Sequence, residues 1–155
     1  MRRSTRKQGS VLIELALILP VAISLILGAV HFGYLFYLYN GLEKSVRDGA
    51  RYAASRTYTT YADYSTVVQK VVVYGSLNGS TPLVTDLALQ DSNKKNMVVV
   101  TPIPNASGVR PERIKVEITG YKYVGILSGL LGETLLVGKP AVEVPFIGRY
   151  APPAS

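Results

Sequence analysis

Between Leu15 and Tyr39 the chain runs 25 residues without an Asp, Glu, Lys or Arg. About 20 apolar residues are enough for a helix to cross the hydrocarbon of a bilayer. A secretory signal has an apolar region of only ~7–15 residues, closed by small residues at the cleavage site. This run is longer, and no A-x-A stop follows it. Its far end is aromatic (Phe32, Tyr34, Phe36, Tyr37, Tyr39), as expected where a spanning helix meets the interface. Residues 10–40 are therefore expected to form one transmembrane helix. Val124–Gly132 is a second apolar stretch, too short to cross.

What precedes the span is unusual for a plain anchor. The nine residues MRRSTRKQG carry four positive charges and no negative one. Gly9 closes that leader, Ser10 follows it, and Glu14 stands five residues past the glycine at the edge of the apolar run. An acid at the centre of a membrane helix costs ~2.5–3.5 kcal/mol on insertion scales, so an acid at this fixed distance from Gly9 suggests a purpose. Arg2, Arg3, Arg6 and Lys7 argue for a cytoplasmic N-terminus, although Lys44, Arg47, Arg51 and Arg56 tie the raw count at the other end. The leader packs its charges without an acid, and large domains translocate largely regardless of charge. An N-in orientation follows, with residues 57–155 extracytoplasmic.

Charge then loses its apparent meaning. The formal net charge is +7, and it falls to +3 once the four leader cations are set aside. No later stretch clusters bases with stacking aromatics, so nucleic acid is not an expected partner. The absence of cysteine removes disulfides and thiol chemistry. Roughly 115 residues remain beyond the anchor, enough for one modest domain.

The long helix is expected to continue past the membrane. Leu42, Val46, Ala50 and Ala53 recur every three or four residues, with Glu43, Lys44, Arg47, Asp48 and Arg51 on the other faces. Residues 41–56 thus read as an amphipathic extension of a helix running from Ser10 to near Arg56, with Gly41 as a weak point. After a Tyr/Thr-rich link, Tyr64, Val67, Val68, Val71 and Val72 fit one face of a short second helix capped by Asp63 or Ser65. Their β-branched content keeps a strand open as the alternative. Gly75–Pro82 reads as a turn region. Met97–Thr101, the alternating Arg113–Tyr121 and Val142–Ile147 read as strands, with Pro145 confining the last to an edge or bulge. Helices followed by strands give an α+β fold, with an antiparallel sheet of about three strands packed on the distal half of the long helix.

No catalytic, cofactor-binding or metal site is expected. The single histidine, His31, lies inside the span, where an interfacial polar residue at a helix seam is the simpler reading than a ligand. Asp63, Asp86, Asp91, Glu112, Glu117, Glu133 and Glu143 are scattered, without metal-loop spacing. Gly132–Lys139 has five residues between its glycines and Pro140 after its lysine, so it fails as a phosphate loop. Asn78-Gly-Ser and Asn105-Ala-Ser match a glycosylation pattern short enough to arise by chance. GILSG (Gly125–Gly129) has helix-pairing spacing but reads as a flexible loop outside the span.

The block GSVLIELALILP, from Gly9 to Pro20, resembles the leader junction of type IV prepilins and pseudopilins. Together with FGYLF (Phe32–Phe36) and RDGARYAA (Arg47–Ala54), which includes Gly49, Ala50 and Arg51, it resembles the TadE-like pseudopilins of the tight-adherence, or Flp, pilus system. His31 departs from this pattern, where relatives commonly carry an acid, and so does the IGRY ending, which lacks a closing acid. Ser10 in place of Phe makes a secretion-system pseudopilin the weaker match.

The resemblance implies cleavage by a prepilin peptidase between Gly9 and Ser10. It also implies a minor role in assembling an adhesive pilus, with Glu14 acting in assembly. The implied partners are pilin and pseudopilin subunits through helix packing, the inner-membrane assembly machinery and membrane lipid. A single-pass anchored periplasmic scaffold or sensor, never built into a filament, is the rival reading.

Overall fold

The computed structural model describes residues 5–58, 61–90, 96–106, 111–123, 134–135 and 140–151. Two helices, α1 (Thr5–Ser55) and α2 (Tyr61–Tyr74), precede five strands. These are β1 (Val98–Pro104), β2 (Pro111–Ile118), β3 (Lys122–Tyr123), β4 (Thr134–Leu135) and β5 (Ala141–Pro145). The chain divides into two compact units, Met1–Phe36 and Tyr37–Ser155. The fold is α+β, as expected. Val124–Gly132, most of Gly132–Lys139 and the first four leader residues lie outside the described residues.

Helix α1 ends where the pattern places its end, but it begins at Thr5, five residues before Ser10. Arg6, Lys7 and Gln8 are good helix formers, and only Gly9 opposes them, by about 1 kcal/mol relative to alanine. Gly41 does not interrupt the helix. It is a close approach instead, since a Cβ there would lie 3.2 Å from Cγ2 of Val84. The predicted stripe is the one that is buried: Leu42, Val46, Ala50 and Ala53 are all inaccessible to solvent.

Residues 64–72 resolve as helix. α2 is longer than expected, so Asp63 stands in its first turn, where a negative charge suits the helix dipole. Ser65 lies inside the helix, its hydroxyl donating to the Ala62 carbonyl at 3.0 Å. Neither residue is the cap, because the helix starts at Tyr61. The β-branched side chains are tolerated because Val68, Val71 and Val72 are buried on one face with Tyr64, and packing outweighs weak intrinsic propensity. Gly75, at φ 72°, ends the helix in the left-handed conformation, its N–H donating to the Val71 carbonyl at 2.9 Å.

The main sheet has the order β1-β2-β5 and is antiparallel throughout. Val98 pairs with Ile118 and Val100 with Val116, so the alternating apolar residues of both strands share the buried face. β5 is an edge strand ending at Pro145, the place a residue without an N–H must occupy. β3 and β4 form a separate two-residue ladder. The sheet meets α2, where the Gln69 side-chain amide donates to the Val98 carbonyl at 3.0 Å. Its tie to α1 runs through the segment after β5, in which the Ile147 N–H donates to the Ala54 carbonyl at 3.0 Å.

Candidate functional site

The feature with functional potential is the first part of α1. Sixteen large apolar side chains between Val11 and Phe36 belong to it, and from Val11 to Leu27 every one stands exposed. A helix apolar on all sides is either buried in protein or surrounded by lipid. Here none of the most apolar window is buried, which separates this helix from the core helix of a soluble protein. Its length and composition suffice to cross a membrane.

Ser10 and Glu14 are both exposed on this helix. They are four residues apart, so they occupy one face a single turn apart. Gly9 is helical, and a Cβ built on it would meet nothing within 4 Å. Packing therefore gives no reason for glycine at this position. Pro20 lies inside the helix, so the carbonyl of Ala16 lacks its usual backbone donor. Ser24 donates its hydroxyl to the Pro20 carbonyl at 2.8 Å, a local hydrogen bond of the type that bends helices. His31 is half-buried and meets the Phe32 ring edge-on at 6.1 Å between centroids.

The RDGARYAA motif sits in the other unit and has a different character. A Cβ on Gly49 would overlap the Val72 side chain, so glycine is what lets α2 approach α1 at this point. Ala50, Ala53 and Ala54 are buried as well. Arg47 is exposed and pairs with Glu43 one turn back at 2.5 Å, while Arg51 is exposed as well. The Arg56 guanidinium stacks over the Tyr52 ring at 5.2 Å. The motif thus splits into small residues that pack and charged residues that face outward.

Little supports chemistry elsewhere. A cavity of about 260 Å³ is lined by Arg56, Thr57, Asp63, Tyr64 and Val67, with one cation, one carboxylate and no histidine. Among the described residues, no three His, Asp or Glu side chains stand together as metal ligands. The sequence reading missed the way α1 is closed. Tyr64 donates its hydroxyl to the Ala53 carbonyl and Ile147 its N–H to that of Ala54, with no basic residue in the last turn. These donors come from distant parts of the chain and leave no local signal.

Residues 9–51 match the family model for TadE-like protein. The chain carries a TadE-like segment. It starts at the glycine before Ser10, ends at Arg51, and lies wholly on α1. No curated protein and no solved structure matches the chain significantly.

Proposed function

We propose that the protein is a TadE-like pseudopilin, or minor pilin, that serves assembly of an adhesive Flp pilus without catalysing a reaction itself. The supporting observation is the uncovered apolar helix that carries Glu14 five residues past Gly9, within a segment that matches TadE-like proteins. The protein sits in a bacterial inner membrane with its N-terminus cytoplasmic and its domain extracytoplasmic. A prepilin peptidase cuts after Gly9, removing the four leader charges and freeing the Ser10 amine. That new cation lies one turn from Glu14, and opposite charges attract far more strongly in a low dielectric than in water. The processed helix then leaves lipid for a bundle of pilin and pseudopilin helices held by the assembly machinery.

One observation favours the rival reading of an uncut periplasmic scaffold or sensor. α1 is unbroken across Gly9 and Ser10, whereas a peptidase needs extended backbone at the bond it cuts. Local unwinding is cheapest where glycine already weakens the helix and close to its end, which reconciles the two.

N-terminal sequencing of protein from native membranes decides between them. The expected mature chain begins at Ser10, and Gly9→Leu blocks processing. Protein that retains Met1–Gly9 beside an active prepilin peptidase rejects the pseudopilin reading. Glu14→Leu and Glu14→Gln are expected to insert and be cleaved normally while losing piliation, since breaking one side of a buried pair costs ~3–5 kcal/mol. Normal pili from both variants defeat the pairing mechanism.

A further inference from the structure

The dipeptide Asn-Gly occurs twice in the chain, at Asn40–Gly41 and at Asn78–Gly79. It carries a reaction of its own. The backbone nitrogen that follows an asparagine can attack the side-chain amide carbon, and glycine hinders that approach least because it has no Cβ. The fold places the two copies of this dipeptide in opposite settings.

Asn40 and Gly41 lie in the interior of α1. In a helix each interior N–H is committed to the carbonyl four residues back, so attack on Asn40 requires that turn to unwind. Asn78 is exposed in the turn that follows α2, outside any helix or strand. No hydrogen bond among the described residues engages its side chain or the Gly79 N–H. The nucleophile and its target are thus both available. Glycine is also required here, since a Cβ on Gly79 would lie 2.6 Å from Cβ of Tyr74 and 2.9 Å from Oγ of Ser76. The packing that demands glycine at 79 keeps the susceptible pair in place.

We propose that Asn78 is a site of spontaneous modification, converted by its own backbone to isoaspartate and aspartate, while the same dipeptide at Asn40 is shielded by α1. Hydroxide takes the Gly79 amide proton, and the nitrogen forms a bond to Cγ of Asn78. The Cγ–Nδ2 bond breaks, and the amide nitrogen takes a proton from water and leaves as ammonia, which closes a succinimide ring. Water then opens the ring at either carbonyl, restoring the Gly79 N–H and leaving a carboxylate at residue 78. The net change consumes water, releases ammonia and needs no oxidant or cofactor. Opening at the backbone carbonyl gives isoaspartate, which adds a methylene to the main chain. The stretch Gly75–Thr85 contains no charged residue, so the product gives it its first charge.

Full-length protein in detergent micelles is aged at mildly alkaline pH, either folded or in guanidinium chloride. Residues 40 and 78 are followed by peptide mass mapping together with an enzymatic assay for isoaspartate. In the unfolded chain both asparagines are expected to convert at similar rates. In the folded protein Asn78 is expected to keep a rate within severalfold of the unfolded one, whereas Asn40 stays unconverted over the same interval. Asn78→Gln, whose amide stands a methylene farther from the backbone, is expected to remove the isoaspartate signal of the folded protein. An Asn78 that converts only after unfolding shows that the turn holds the pair out of reaction, and overturns the proposal. Equal conversion of both asparagines in the folded protein rejects it too, because the fold then makes no choice between them. A signal that persists in folded Asn78→Gln assigns the product to another residue and likewise overturns it.

Discussion

Gly9 and Gly49 both belong to the TadE-like segment, yet the structure separates their roles. Nothing surrounds Gly9, whereas a side chain at Gly49 collides with Val72. Gly9→Leu is therefore expected to leave the denaturant midpoint unchanged while stopping cleavage. Gly49→Ala is expected to lower stability by about 1–3 kcal/mol, the usual cost of overpacking. Equal midpoints for the wild type and Gly49→Ala remove the packing explanation. Tyr64 offers a second test at this scale. Burial, and then the neighbouring Tyr58, raise its phenol well above the ordinary value. The unfolded phenol ionises near pH 10. The raised folded value means its contribution is complete below pH 10 and declines as pH rises toward the folded pKa. Tyr64→Phe strands the Ala53 carbonyl and is expected to cost about 1–3 kcal/mol at neutral pH. Its melting temperature is also expected to fall less steeply than that of the wild type above pH 10.

Helix α1 shows how one regular element takes two environments from its side chains. Up to Phe36 it is apolar on nearly every face, while beyond Tyr37 only one stripe is apolar and that stripe is buried. The first part needs lipid or like helices, and the second needs α2. Leu27→Lys places a cation near the middle of the run, at ~2.5–3.5 kcal/mol by insertion scales. It is expected to reduce the carbonate-resistant membrane fraction severalfold, whereas Lys44→Leu is expected to leave it unchanged. Equal fractions for Leu27→Lys and wild type contradict a spanning helix. α2 carries the opposite lesson. Val68, Val71 and Val72 are poor helix formers in isolation, but their shared burial makes the helix the favourable choice.

On the scale of the whole second unit, Tyr37–Ser155, the end of α1 and the C-terminal stretch after β5 are held together. Tyr58 and Arg149–Ala151 exchange backbone hydrogen bonds of 2.7 and 2.9 Å. Phe146 is buried and meets the Tyr58 ring nearly perpendicular at 6.4 Å. A Cβ on Gly148 would overlap the Arg56 carbonyl, so the chain crosses the end of α1 in close contact. Phe146→Ala is expected to cost about 3–5 kcal/mol, a large part of the ~5–15 kcal/mol that stabilises a typical domain. Proteolysis is then expected to nick the variant past Tyr58 while its anchor stays in the membrane fraction. Resistance equal to wild type shows that the closing segment adds little.

The long apolar helix, the buried stripe of Leu42, Val46, Ala50 and Ala53, and the β1-β2-β5 strands were legible because each rests on a local period. A charge-free run, a 3.6-residue repeat and strict alternation act within a few turns or pairs, and the backbone follows them directly. Three features were settled by tertiary contact alone. The helical state of residues 61–74 depends on a face to bury. The end of α1 depends on donors from Tyr64 and Ile147. The need for glycine at 49 depends on Val72 arriving from elsewhere in the chain. A side chain cannot register in advance a neighbour that only the fold supplies, and these positions therefore carry no periodic mark.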